Sequence, residues 1–230
     1  MISKIVHQAT DSRTWEELRL IESIKRIMPD FEYKLWDAES NLALIEKHLP
    51  KYLDAYLKLP AGVIRVDVAR CLYLYNYGGV YCDTDYRFYK ALGDQFLENH
   101  CVLGIEELEN ESCGGFKVGN AFMASEQSFP MWPEFIESIF YRYSQGERRI
   151  VHLSGPHALT KFIRNRKAYL DQITLLLPNV IYPPFKNFKI MTYKDENTIG
   201  AHLCWGSWRQ KSFLQTVKNR ARRMLSAAIA

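Results

Sequence analysis

The chain opens with a short apolar run, Ile2 to Gln8, that reads as a buried first strand. From Arg13 to Met28 the apolar residues Trp15, Leu18, Ile21, Ile24 and Met28 fall at helical spacing, and Pro29 ends the helix they predict. Phe31-Glu32-Tyr33-Lys34-Leu35-Trp36 then alternates apolar with polar, as a half-buried strand does. Strand, helix and strand in that order predict a parallel pair with a right-handed crossover, the usual opening of a nucleotide-binding α/β fold. Helical stretches follow over Ala38 to His48, Lys51 to Leu59 and Ala61 to Tyr77. The last of these carries an apolar stripe of Ile64, Val68, Cys71, Leu72 and Tyr75, and Gly78-Gly79 stops it. Val80 to Asp85 reads as a short strand running into Tyr86 and Phe88. Further on, Cys101 to Ile105, Ala121 to Ala124 and Ile199 to Cys204 have the look of strands, and Pro130 to Tyr143 and Gly155 to Ile163 of helices. Helices alternating with short strands, with no repeat or linker between them, predict an α/β sandwich.

Composition narrows this picture. A chain of 230 residues, 47% apolar and 24% charged, suits one globular domain with room for a deep cleft. No run of eighteen apolar residues could span a bilayer, and the N-terminus lacks the regions of a signal peptide, so the expected location is the cytoplasm. The five cysteines, Cys71, Cys82, Cys101, Cys113 and Cys204, are scattered without a C-x-x-C pair, which fits core residues in a reducing compartment. The net charge of +4 conceals a +6 tail over 209–230 that holds no acid, leaving −2 on the body over 1–208. A nucleic-acid-binding body is therefore not expected. Within the tail, Phe213, Leu214, Val217, Ala221, Met224, Leu225 and Ala228 share one helical face, the pattern of an amphipathic helix. Such a helix either packs on the domain with its basic face in water or docks peripherally on the anionic inner face of a membrane.

The candidate chemistry lies in Gly79-Val80-Tyr81-Cys82-Asp83-Thr84-Asp85. On a strand, Asp83 and Asp85 project to one side with α-carbons about 6.5 Å apart. Two such carboxylates repel unless a cation lies between them, and a hard divalent ion, Mn²⁺ or Mg²⁺, takes oxygen ligands while bridging to substrate phosphates. The bland alternative is a solvated strand end. Upstream, Asp67 and Arg70 stand three apart on one helix face, able to hydrogen-bond vicinal sugar hydroxyls or simply to pair with each other. Near the C-terminus, His202 at a strand end could be a further ligand for Mn²⁺, and Trp208 could either pack in the core or donate its indole N–H to a phosphate.

Val66-Asp67-Val68-Ala69-Arg70 and Tyr77-Gly78-Gly79-Val80-Tyr81-Cys82-Asp83-Thr84-Asp85 together resemble the signature of the DXD sugar transferases, glycosyltransferase family thirty-two. Lys4-Ile5-Val6-His7-Gln8 resembles the family's opening strand, Asn120-Ala121-Phe122-Met123-Ala124 its middle strand, Ser154-Gly155-Pro156 its Thr-Gly-Pro turn, and His202 with Ser207-Trp208 its ending. Two departures stand out: Ala9-Thr10 where the family often has Trp, and Ser154 in place of Thr. The resemblance implies a GT-A fold with a central, mostly parallel sheet flanked by helices. It also implies a hexosyltransferase that moves a hexose or N-acetylhexosamine with retention. The donor would be a nucleotide diphosphate sugar, a UDP-sugar ahead of a GDP-sugar, and the acceptor a glycan or lipid-linked saccharide. By the same resemblance Asp83, Asp85 and His202 would hold the metal, Asp67 and Arg70 the donor-sugar hydroxyls, and Ser207 and Trp208 the diphosphate. His7, Gln8, Thr84, Asn120 and Gly155 would complete the donor site. Two other readings of the D-x-D remain open, an aspartate-nucleophile phosphohydrolase and a non-catalytic sugar-nucleotide or membrane-surface module.

Overall fold

A computed structural model describes residues 1–11, 14–60, 62–108, 115–183 and 194–205. The chain begins with β1 (Ile5–Ala9), α1 (Trp15–Ile27), β2 (Glu32–Trp36) and α2 (Ala38–His48). A single 3-10 turn then leads into α3 (Leu53–Leu57), α4 (Gly62–Tyr77), β3 (Gly79–Cys82) and β4 (Tyr86–Phe88). After α5 (Asp94–Leu97) come the long strands β5 (Cys101–Leu108) and β6 (Phe116–Ser125), then α6 (Met131–Ser144), α7 (Ile150–Leu153), α8 (Pro156–Arg164) and α9 (Lys167–Leu170). The last described elements are β7 (Ile173–Leu176), α10 (Pro178–Ile181) and β8 (Gly200–His202).

Six strands form one sheet in the order β2-β1-β3-β6-β5-β7. The opening unit pairs in parallel as expected, from Ile5 opposite Glu32 to Ala9 opposite Trp36. β1 also runs parallel to β3, and β5 to β7, while β6 is antiparallel to both of its neighbours. Five strands thus point one way and β6 the other, a mostly parallel sheet. Chain order reverses at β1, with β2 on one side and β3 on the other. In such sheets the ligand crevice lies outside the carboxyl ends of the strands at this point.

Alternate residues of the inner strands bury on opposite faces. Tyr81, Leu103 and Met123 face one core with residues of α2, α4, α6 and α8, and Val80, Cys82, Val102, Phe122 and Ala124 face a second with Ile24 and Met28 at α1 and Tyr86 and Phe88 of β4. Both faces are covered, which is why these strands read as near-continuous apolar runs. α1 starts on a capping box between Thr14 and Glu17, α2 on one between Asp37 and Ser40. At Gly79 the backbone has φ +95° and an added Cβ would lie 2.6 Å from the Ile5 carbonyl, so glycine is required where α4 turns into β3.

The first strand begins at Ile5, Ile2 making only an isolated bridge to Glu126. Cys71, Cys82 and Cys101 are buried and unbridged, but Cys204 is exposed. No helix among the described residues is long and apolar enough to cross a membrane. Ser207, Trp208 and the amphipathic segment 209–230 lie outside the described residues.

Candidate active site

Asp83 and Asp85 are not on a strand. β3 ends at Cys82, the Asp83 amide still donates to the Ala121 carbonyl, and the Tyr86 amide then donates to the Asp83 carbonyl at 2.9 Å, closing a turn over 83–86. Asp at the first position and no β-branched apolar residue inside the turn suit this reversal. It sends β4 out of the main sheet into an antiparallel pair with β8, and Tyr86 comes to lie opposite His202. That pairing brings His202 to the two aspartates across nearly 120 residues of sequence: its Nε2 is 3.1 Å from Asp85 Oδ1 and 3.8 Å from Asp83 Oδ2. One donor atom from each of the three lies within 4.8 Å of the others.

The second oxygen of each carboxylate is held by the protein. Asp83 Oδ1 accepts from the Tyr81 hydroxyl at 2.7 Å and lies 3.4 Å from Arg70 Nη1. Asp85 Oδ2 accepts from the Trp205 amide at 2.6 Å. Each aspartate therefore keeps one oxygen turned toward His202, an arrangement in which outer partners orient the groups that would hold an ion. Burial opposes the charge on both Asp85 and His202, but their mutual attraction outweighs it. Asp85 is held below the ordinary carboxylate range and His202 well above that of a free imidazole. Two carboxylates and an imidazole form a donor set that suits a divalent ion.

Asp67 and Arg70, on α4, are 2% and 4% exposed and pair with each other at 3.1 Å. Asn120 Nδ2 donates to Asp67 Oδ1 at 3.0 Å, Ser154 Oγ to Asp67 Oδ2 at 2.5 Å, and Arg70 Nη1 to the Asn120 carbonyl at 2.6 Å. The Arg70 guanidinium also lies over the Tyr81 ring at 4.4 Å. Burial pushes the Asp67 carboxyl up, while Arg70, Ser154 and Asn120 pull it back. α4, β6 and the turn before α8 are thus joined into one polar network that reaches Asp83 through Arg70.

The remaining sequence-read residues divide. Gln8 donates to the Asp83 carbonyl at 2.9 Å and accepts from the Tyr33 hydroxyl, which ties β1 to the turn. Thr84 donates to Glu17 at 3.0 Å. Gly155 caps α8, where an added Cβ would lie 3.0 Å from the Val151 α-carbon. His7 is fully buried behind β3, with Nε2 on the Gly78 carbonyl and Nδ1 on the Trp36 indole. Sequence reasoning missed Tyr81 and Glu17. Tyr81 stands two residues before Asp83, and Thr14-x-x-Glu17 has capping-box spacing.

The fold is of the GT-A type, and the Asp-Asp-His group lies at the carboxyl end of its sheet. The fold is shared with the solved PaToxG glycosyltransferase, at a TM-score of 0.54 and 18% identity over 74% of this chain and 72% of that one. Residues 15–103 match the family described as the glycosyltransferase sugar-binding region containing DXD motif, so comparison finds the same family that the motifs resemble. Over 91 residues the chain is 37% identical to inositol phosphoceramide mannosyltransferase 3 of Schizosaccharomyces pombe, a match covering 36% of this chain and 24% of that protein. The chain thus spans about a quarter of that relative's length. Over 218 residues it is 24% identical to the uncharacterized glycosyltransferase L373 of Acanthamoeba polyphaga mimivirus, covering 90% of this chain and 84% of the relative.

Proposed function

We propose that this chain is a metal-dependent, retaining hexosyltransferase that takes its sugar from a nucleotide diphosphate donor. The observation that carries the reading is the convergence of Asp83, Asp85 and His202, whose donor atoms lie within 4.8 Å of one another beside the buried Asp67–Arg70 pair. Asp83, Asp85 and His202 would hold Mn²⁺ or Mg²⁺; when bound, the ion neutralises charge that develops on the departing diphosphate. Tyr81 and the Trp205 amide keep the two carboxylates turned toward that position. Arg70 adds a fixed positive charge on the same side, and Asp67 and Asn120 offer acceptors and donors for sugar hydroxyls beside it. No described carboxylate stands out as a covalent nucleophile, which favours attack by the acceptor hydroxyl from the face the diphosphate leaves.

The named activity of the fission-yeast relative supports a mannose donor and a lipid-linked acceptor, and the basic segment 209–230 would then dock on an anionic membrane surface. A panel of UDP- and GDP-sugars, with nucleotide-linked mannose included, tests the reading by donor hydrolysis and thermal shift with Mn²⁺ and with chelator. Turnover of at least one donor that needs the metal and falls about a hundredfold or more in Asp85→Asn is expected. Absence of any donor effect, or a burst of phosphate from a simple phosphomonoester, would refute it and favour the phosphohydrolase reading. Liposome flotation of the full chain against one ending at Trp208 tests the membrane contact; equal flotation excludes it.

A further inference from the structure

The residue between the two aspartates is held by an element of its own. Thr84 Oγ1 donates to Glu17 Oε1 at 3.0 Å, and Thr10 Oγ1 reaches the same oxygen at 3.4 Å. The other oxygen, Oε2, accepts from the Thr14 amide at 2.9 Å and the Thr14 hydroxyl at 2.8 Å, while the Glu17 amide donates back to Thr14 Oγ1 at 3.3 Å. Glu17 is only 7% exposed. A capping box at the start of α1 requires only the Thr14 contacts. The reach to Thr10 and Thr84 goes beyond it, and joins both ends of the β1–α1 loop to the turn over 83–86.

Each residue of the D-x-D is therefore fixed from a different direction. Gln8 of β1 holds the Asp83 carbonyl, the Leu203 and Trp205 amides after β8 hold Asp85, and Glu17 of α1 holds Thr84. A group of ligands must be kept within about 0.5 Å of its working geometry by surrounding contacts. The Thr84 contact lies between the two aspartates, within the turn that the Tyr86 amide closes on the Asp83 carbonyl. Thr10, which Glu17 also holds, follows the carboxyl end of β1 at the point where strand order reverses, the region in which a nucleotide binds in folds of this kind.

We propose that Glu17 is a positioning residue for this site: through Thr84 it sets the spacing of the Asp83 and Asp85 carboxylates and links the β1–α1 loop to them. The inference rests on the metal-dependent reading above. Thr84→Val tests it, because that change removes the hydroxyl, keeps the shape and leaves the α1 cap untouched; Thr84→Ser restores the donor. Mn²⁺ is titrated against the full chain by electron paramagnetic resonance of the free ion, and amide hydrogen exchange is followed over 83–86 and along α1.

Thr84→Val should weaken Mn²⁺ binding by about tenfold or more, the usual effect of losing an outer partner of a ligand group. It should also speed exchange of the 83–86 amides with α1 unchanged, while Thr84→Ser stays near wild type in both. Adding Thr84→Val to Glu17→Gln should cost no further Mn²⁺ affinity than Glu17→Gln alone. Equal Mn²⁺ affinity and equal exchange in wild type and Thr84→Val would overturn the proposal. If the wild type takes up no Mn²⁺, the metal reading fails on its own, and exchange decides the rest: faster exchange at 83–86 in Thr84→Val upholds the Glu17 contact as the one that sets the turn, and unchanged exchange overturns it.

Discussion

Between pH 7 and pH 5 the fold should lose about 2 kcal/mol through His7 alone. The ring has no exposed surface, and both nitrogens are committed in the neutral form: Nε2 donates to the Gly78 carbonyl at 2.9 Å and Nδ1 accepts from Trp36 Nε1 at 3.2 Å. A second ring proton would face the indole N–H donor. Burial is the main reason the pKa falls from 6.5 to about 4; the Gly78 contact opposes the fall and nearby Lys34 assists it. Because the folded value lies below the unfolded one, the unfolded chain takes up the proton first on acidification. The stability His7 contributes is thus whole above about pH 6.5 and drains away as the pH drops toward 4. With those two pKa values the loss by pH 5 is about 2 kcal/mol, rising to about 3.4 kcal/mol below both. Urea denaturation followed by tryptophan fluorescence at pH 7, 6 and 5 measures it, with His7→Asn as the control that cannot titrate. The wild type should lose about 2 kcal/mol more than the variant over that range, and the His7 ring should remain neutral by NMR to near pH 4. Parallel pH slopes for the two proteins, or a His7 ring that titrates near 6.5, would refute the reasoning.

Asp67→Asn leaves the Arg70 charge buried with only the partly exposed Asp83 as its acid partner. Breaking a buried pair costs about 3 to 5 kcal/mol, and Asp83 should keep the loss at the lower end. A fall in melting temperature of roughly 6 to 12 °C by calorimetry is expected; a change under about 2 °C would contradict the pairing described. Tyr81→Phe removes the hydroxyl on Asp83 Oδ1 and should weaken Mn²⁺ about tenfold in a direct titration, and an unchanged affinity would show that Asp83 needs no such holder. Gly79→Ala combines a positive φ with a 2.6 Å approach to the Ile5 carbonyl. It should destabilise by about 2 kcal/mol or more in the same urea assay, and a neutral result would mean that the β1–β3 junction yields easily.

Local pattern carried the opening of this fold because each element shows its own period. The apolar residues of α1 recur at helical spacing, and β2 alternates. β7, by contrast, is only four residues at the sheet edge, Ile173-Thr174-Leu175-Leu176, too short for a period to mark it. The D-x-D shows how the same logic misleads. Val80, Cys82, Tyr86 and Phe88 all bury, so period two seems to run unbroken from β3 into β4, and nothing in Asp83-Thr84-Asp85 includes the Gly or Pro that usually announces a turn. The side chains still converge, but through the turn and through β8 rather than through a shared strand face. Spacing also put Asp67 beside Arg70 without deciding between a sugar contact and an ion pair, a choice that depends on burial and on Asn120 and Ser154 arriving from elsewhere in the chain. Glu17 was missed: the Thr14-x-x-Glu17 spacing could mark it as a helix cap, but its hold on Thr84 spans 67 residues. Periodicity tells which residues share a face; only the long-range pairing of β4 with β8 tells which faces meet. That is why two of the three candidate ion-holding residues could be read together from one tripeptide, while the third, His202, stood alone as a strand-end imidazole until the register that sets it opposite Tyr86 brought it to them.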